Sequence, residues 1–266
     1  MRYCRLLVLL ILVNVSYSYG QNFTKAIADN SFFIEESYNQ EVRVVQNIST
    51  GYYLRESKTF IYSFTQEWPA FGLEHQLSFT LPYTSMGSNA SGFGDIMLNY
   101  RYQLWEDGDW AWVSPRFSII LPTGSTSKGL GSGVVGAQIC LPVSKRWSNQ
   151  FVTHLNIGCT LMPNVENPAV NGSRKSLFSY FAGVSGIWLT TENFNFMLEA
   201  VYYMNAGFNE MGDVESVPQT ILSPGVRFAI NLGNLQIVPG FALPVTFASG
   251  KSEMNLFGYL SFEFPF

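Results

Sequence analysis

From about residue 44 to its end, this chain alternates apolar and polar residues with a period of two, the spacing of strands with one dry and one wet face. Leu73, Leu77, Phe79 and Leu81 alternate with Glu74, Gln76, Ser78 and Thr80. Ile96, Leu98, Tyr100, Tyr102 and Leu104 alternate with Asn99, Arg101 and Gln103. Similar runs cover 60–65, 117–121, 135–143, 151–161, 194–204, 222–230, 235–245 and 256–266, with less regular ones at 44–54 and 177–189. The pattern predicts about twelve strands, an even number as bacterial barrels require.

The connections alternate in length. Tight turns are expected at 69–72, 106–109, 145–149, 190–193 and 233–234, and longer polar loops at 84–93, 122–133, 163–176, 206–219 and 248–255. The link at 55–58 is a short member of the second set. A transmembrane barrel has this arrangement, with short periplasmic turns and longer external loops. Trp68, Trp105, Trp110, Trp112, Trp147 and Trp188 all fall near the tight turns, as an aromatic girdle at one membrane interface would.

A soluble sandwich would turn a face rich in Lys and Glu to water. Here the polar positions are mostly Ser, Thr, Asn, Gln and Gly, as in an enclosed lumen. Pro115, Pro142, Pro224, Pro239 and Pro244 fall within predicted strands, where each removes a ladder donor, so bulges or local strand ends are expected there. The fold class read from the pattern is therefore all-β, a closed antiparallel transmembrane barrel.

Composition sharpens the picture. Charged residues are 13% of the chain, against roughly 25% in ordinary soluble domains. Aromatics are 16%, and beyond the N-terminus no apolar run is long enough for a membrane-spanning helix. The net charge of −4, with no basic run, argues against nucleic acid as a partner.

The N-terminus reads as a signal peptide over 1–20: basic Arg2 and Arg5, an apolar run over 6–13, and small residues before a cleavage point after Gly20. Residues 21–42 do not alternate. Phe32, Phe33, Ile34 and Tyr38 with Glu35 and Glu36 suggest a short helix or an extended periplasmic plug or cap, leaving 43–266 as the barrel. Phe266 ends the chain on the same face as Leu260, Phe262 and Phe264. A terminal aromatic of this kind is what the outer-membrane assembly machinery reads, which makes that machinery an expected partner.

Three segments carry a family resemblance: Gly92-Phe-Gly-Asp-Ile-Met-Leu-Asn-Tyr-Arg-Tyr-Gln-Leu104, Ser114-Pro-Arg-Phe-Ser-Ile-Ile-Leu-Pro-Thr-Gly124 and Asn234-Leu-Gln-Ile-Val-Pro-Gly240. They resemble outer-membrane proteins of the phenol meta-cleavage (MetA) pathway transporter family, most densely over 73–124. The resemblance implies a Gram-negative barrel for uptake of small, often aromatic or apolar compounds. It brings no catalytic motif.

The residues themselves offer little chemistry. His75 and His154 are the only histidines, and parity puts His154 on the lumen side and His75 outside, so no metal pair is expected. Cys140 and Cys159 fall on opposite faces of neighbouring strands, which disfavours a disulfide. No cofactor is expected, and no enzyme. The lumen-lining candidates are Glu74, Arg101, Arg116, His154, Glu199, Arg227 and Tyr259, with Glu67 and Glu263 also inward. Glu74 is expected across from Arg101, and Glu199 paired with Arg227, either bracing the interior or setting a field that selects solutes. Phe181, Tyr203 and Phe257 add an apolar path.

The expected function is an outer-membrane channel for small solutes, apolar or aromatic ones among them, working as a monomer in contact with outer-membrane lipid. The alternative is a non-conducting structural or surface-binding barrel. A membrane-embedded hydrolase ranks last.

Overall fold

The computed structural model describes residues 26–41, 43–87, 89–105 and 110–265. The expected signal peptide, the turn at 106–109 and Phe266 lie outside the described residues. Twelve antiparallel wall strands form the chain from Val44 onward. They are β1 (Val44–Leu54), β2 (Thr59–Pro69), β3 (His75–Met86), β4 (Ser91–Phe93 and Ile96–Tyr102), β5 (Trp112–Val113 and Arg116–Leu121) and β6 (Gly136–Arg146). The second half comprises β7 (Phe151–Glu166), β8 (Arg174–Thr191), β9 (Phe194–Phe208) and β10 (Val214–Phe228 and Ile230–Leu232). It ends with β11 (Leu235–Ala242 and Val245–Ala248) and β12 (Lys251–Met254 and Leu256–Pro265). Each strand pairs with its neighbours in sequence, and β1 pairs with β12 from Val44↔Pro265 to Tyr53↔Leu256, which closes the ring.

Parity then sorts every side chain. On β9, Asn195, Met197, Glu199 and Val201 are buried inside, while Phe196 and Leu198 are 52% and 59% exposed outside. Leu98, Phe117, Ile139, Ile157, Phe178 and Phe241 continue that outer belt around the ring. A belt of exposed apolar residues beside buried Arg, Glu and His inverts a soluble protein and suits a wall with lipid outside.

Two of the prolines sit at breaks in the wall: Pro115 between the halves of β5 and Pro244 between the halves of β11. Pro142, Pro224 and Pro239 stay inside strands. Their carbonyls remain usable: those of Pro142 and Pro224 accept from Ser114 and Leu243 at 3.2 and 3.1 Å.

Four of the five long loops are shorter than the pattern predicts. The strands run on so that only 167–173 and 209–213 connect β7 to β8 and β9 to β10, and 249–250 connects β11 to β12. Val214 to Pro218 explain the difference, since all are exposed although paired in the ladder. Beyond the bilayer both faces meet water, and the period-two signal disappears while the backbone pairing continues. The 122–135 connection is the longest, and Asp95 pins it, accepting from Gly124 and Ser132 backbone N–H groups at 2.9 and 2.8 Å.

Trp105, Trp110, Trp147 and Trp188 are exposed at the tight-turn end. Trp112 is a correction to the girdle: it stands in register with lumen-facing Ser144, and its ring meets Tyr38 edge-on at 5.4 Å.

Candidate functional site

The inner wall does not enclose a void of its own polar residues; it encloses residues 26–41. This segment contains no helix and belongs to no wall strand. Its backbone groups need partners in a space away from bulk water, and side chains from around the ring supply them. Glu199 Oε1 on β9 accepts the N–H groups of Phe32, Phe33 and Ile34 at 3.1, 2.8 and 3.1 Å. Arg227 Nη1 on β10 donates to the carbonyls of Ala28 and Asn30 at 3.1 and 2.7 Å. Asn156 on β7 accepts from the Glu35 N–H at 2.7 Å and donates to the Glu35 carbonyl at 2.9 Å, as a neighbouring strand would.

The opposite wall holds the second half of the segment. Arg101 on β4 donates to the carbonyls of Glu36 and Tyr38 at 3.0 and 2.6 Å and to Asn39 Oδ1 at 3.0 Å. Arg116 on β5 grips the Glu35 carboxylate at two points, Nη2 to Oε1 at 2.8 Å and Nε to Oε2 at 2.9 Å. Gln76 on β3 accepts from the Gln40 N–H at 2.7 Å. Ser114 donates to the Ser37 carbonyl at 2.6 Å, and Ser144 accepts from the Ser37 N–H at 2.9 Å.

His154 is fully buried within this network. Its Nε2 lies 2.8 Å from the Asp29 carbonyl, which can only accept, so Nε2 carries the proton. Nδ1 is then the acceptor for the Ser144 hydroxyl at 2.7 Å. The ring is a neutral bracket between wall and segment. His75, by contrast, faces outward against the Tyr100 hydroxyl at 2.7 Å.

The apolar side of the interior lies by β11, β12 and β1. Phe257, Tyr259, Val238 and Ala242 form a buried cluster with Ile27, against which Phe32, Phe33 and Tyr52 pack. The Phe32 ring lies 5.4 Å from that of Tyr259, and the Arg227 guanidinium sits 4.9 Å over the same Tyr259 ring. Wall glycines make room for the segment. A Cβ on Gly183 would come within 2.4 Å of Ile34, and one on Gly225 or Gly240 within 2.6 or 2.8 Å of the Phe32 ring. Such glycines at lumen-facing positions are the sequence signal for this packing.

Of the candidates read from the sequence, the interior brings together Arg101, Arg116, His154, Glu199, Arg227 and Tyr259. Glu74 is a correction. It precedes β3 in the exposed 71–74 turn, where its carbonyl accepts from the Gln103 N–H at 2.7 Å. Parity carries a residue inward only while the chain stays in the wall. The residue opposite Arg101 is Gln76. Glu199 and Arg227 also do not pair: the register sets Arg227 opposite Asn195 and Glu199 opposite Ser223, and it is Glu199 Oε1 and Arg227 Nη1 that bond the segment. The bracing expected between wall charges is bracing of wall to segment. The neutral partners Asn156, Ser144, Gln76 and Ser185, the last of which accepts from the Ser31 hydroxyl at 2.5 Å, could not be singled out, because nothing separates them from other polar wall positions.

Two groups of the segment itself have shifted acidities. Burial raises the Glu36 carboxyl above its ordinary value, against the lowering influence of Arg101. The Tyr38 hydroxyl is also raised, first by burial and then by the Asp29 carboxylate to which it donates at 2.8 Å.

No protein-family model matches the chain, and no curated protein matches it. Solved structures do. The COG4313 outer membrane channel from Pseudomonas putida F1 is similar at a TM-score of 0.65 and 13% identity, over 86% of this chain and 98% of that one. The chain has the fold of an outer-membrane β-barrel. The NanC porin is similar to this barrel at a TM-score of 0.55 and 8% identity, covering 83% of this chain and 100% of its own. The KdgM porin follows at 0.50 and 7%, covering 84% and 99%. Identities this low speak for the fold, which agrees with the apolar outer belt.

Cys140 and Cys159 are both free. Cys159 is in register with outward-facing Ile139, and Cys140 is buried on the inner side, so the barrel wall separates them.

Proposed function

We propose that this barrel is a bacterial outer-membrane channel for small solutes, working as a monomer, with residues 26–41 as a resident plug. The observation that carries the reading is the polar inner wall. Arg101, Arg116, Glu199 and Arg227 bind a segment that contributes nothing to the ring itself. Side-chain bonds to a separate segment can be exchanged for bonds to water or solute without opening a single wall ladder. The similarity to an outer membrane channel and two porins supports the same class of function.

Aromatic and apolar solutes are the proposed substrates. Phe32, Phe257 and Tyr259 offer them one side of the interior, and Phe181 and Tyr203, whose rings lie 6.1 Å apart, offer a second patch. The resemblance of 92–104, 114–124 and 234–240 to the MetA-pathway family favours that class too. In this reading the signal peptide is removed after Gly20, the tight turns face the periplasm, and the assembly machinery engages the last strand.

Planar-bilayer recording and liposome uptake with purified full-length protein test the proposal. Current and entry of small aromatic solutes are expected, both rising in Glu199→Ala, which releases three backbone donors of the segment. A flat current in both proteins with no uptake would overturn it. That outcome would favour a non-conducting barrel, a reading supported by how fully the segment is bonded to the wall.

A further inference from the structure

The interior changes character above the enclosed segment. On β1 the inward-facing Val44 and Gln46 are buried, whereas Ile48, Thr50 and Tyr52, further along the same face, are half-buried. On β3 the step falls between Ser78, which is buried, and Thr80, which is not. Ser63 and Thr65 of β2 stand opposite Thr50 and Thr80 and are half-buried too. On β9 the same step separates Val201 from Tyr203. A side chain that points into the ring can be reached only from space within it. These positions therefore line a vestibule between the segment and the long-loop end.

Along β1, β2 and β3 the vestibule wall carries no charge. Past the residues just named, its inner positions are Leu54, Thr59, Ile61, Pro82, Thr84 and Met86. The interior charges sit at the level of the segment and are engaged there: Arg116 holds Glu35, Gln76 holds Glu67, and Gln46 holds Glu263. What the upper wall offers is a chequer of hydroxyl and aliphatic groups. Thr50 faces Ser63, Ile48 faces Thr65, and Tyr52 faces Ile61. Among the described residues, no group takes the hydroxyls of Thr50 and Ser63.

An ion entering such a space leaves bulk water and meets no opposite charge, beside a wall backed by hydrocarbon. An uncharged solute with hydroxyl groups instead exchanges bonds to water for bonds to Thr50 and Ser63, and lays its carbon frame on Ile48 and Ile61. We propose that the vestibule is a neutrality filter. It takes uncharged, hydroxyl-bearing organic solutes and discriminates against carboxylates and ammonium ions, with Thr50 and Ser63 as the specificity-determining side chains. Its part in passage rests on the channel reading above, whereas its preference can be measured on a barrel that does not conduct.

Cysteine labelling of the purified full-length barrel tests it. The two free cysteines are first removed as Cys140→Ala and Cys159→Ala. Ser63→Cys is then treated with methanethiosulfonates bearing a hydroxyethyl, an ethylsulfonate or an ethylammonium group. Each rate is divided by the rate at Ser91→Cys, an exposed position. The hydroxyethyl reagent should be favoured about tenfold or more over both ions. Adding Thr50→Lys, opposite Ser63 in the ladder, should restore the sulfonate reagent and not the ammonium one. Equal normalised rates for all three reagents, or no reaction at Ser63→Cys with any of them, would overturn the proposal. In liposomes, phenyl glucoside should enter about tenfold faster than phenyl glucuronide, its carboxylate counterpart. Equal entry of the two also overturns the filter. Entry of neither refutes the channel reading, and the labelling ratios then decide the vestibule by themselves.

Discussion

Arg116 of the wall and Glu35 of the enclosed segment face each other as a fork on a carboxylate, with contacts of 2.8 and 2.9 Å. The Arg116 side chain is 10% exposed and that of Glu35 38%. Breaking a fully buried pair costs roughly 3–5 kcal/mol, but water can reach Glu35 and replace part of the loss. Arg116→Ala is therefore expected to destabilise the barrel by about 1–2 kcal/mol. In denaturant unfolding, adding Glu35→Gln to Arg116→Ala should cost less than the sum of the single changes. Simple additivity would show that the contact is not energetically coupled.

Glu199 offers a graded test. Glu199→Gln keeps an acceptor for the N–H groups of Phe32, Phe33 and Ile34 but removes its charge, whereas Glu199→Ala removes the acceptor. Protease cleavage within 26–41 should rise in the order native, Gln, Ala. Equal cleavage in all three would mean that this carboxylate does not hold the segment.

The glycine contacts predict a compensation. Gly225→Val sets a branched side chain where even a Cβ would come within 2.6 Å of the Phe32 ring, so the segment should be displaced and become protease-sensitive. Phe32→Ala in the same chain should restore much of the protection by vacating that space. Failure of the second change to rescue the first would point to damage in the wall instead.

Glu36 predicts a pH dependence with a definite sign. Its folded value lies above the ordinary carboxylate value of 4.5, so between the two the folded state holds more protons than the unfolded one. Stability from this group is fully present below the unfolded value and is lost as pH rises through the raised folded one. Glu36→Gln should accordingly be more stable than native at pH 7, with the advantage fading as pH falls towards 4. Thermal loss of the compact, heat-modifiable form on detergent gels, followed against pH, measures it. A constant difference at every pH would count against the buried charge.

How much of this could be read beforehand depends on range. Parity is local, and it placed Arg101, Arg116, His154, Glu199, Arg227 and Tyr259 on one face because each lies within a wall strand. It failed at Glu74, one residue outside β3, where alternation continues in the letters but not in the chain. It also missed the length of β8, Arg174–Thr191, whose end lies beyond the apolar belt. The bonding of residues 26–41 was illegible for another reason. Many of those contacts join positions far apart in the chain, such as Ser31 with Ser185 at 2.5 Å, and many use backbone groups that every residue carries. Gly183, Gly225 and Gly240, small residues on a face otherwise furnished with larger ones, were the available hint.

The pairing of β1 with β12 fixes an order of events during biogenesis. Val44 lies opposite Pro265, so the last seam joins the two extremes of the barrel sequence and cannot zip until synthesis is complete. Residues 26–41 lead directly into β1, and their wall partners lie on strands from β1 to β12. They can be drawn inward while the sheet is still an open, curling ribbon, before that seam closes. A closed cylinder would have to be threaded from its mouth against the friction of every bond described above.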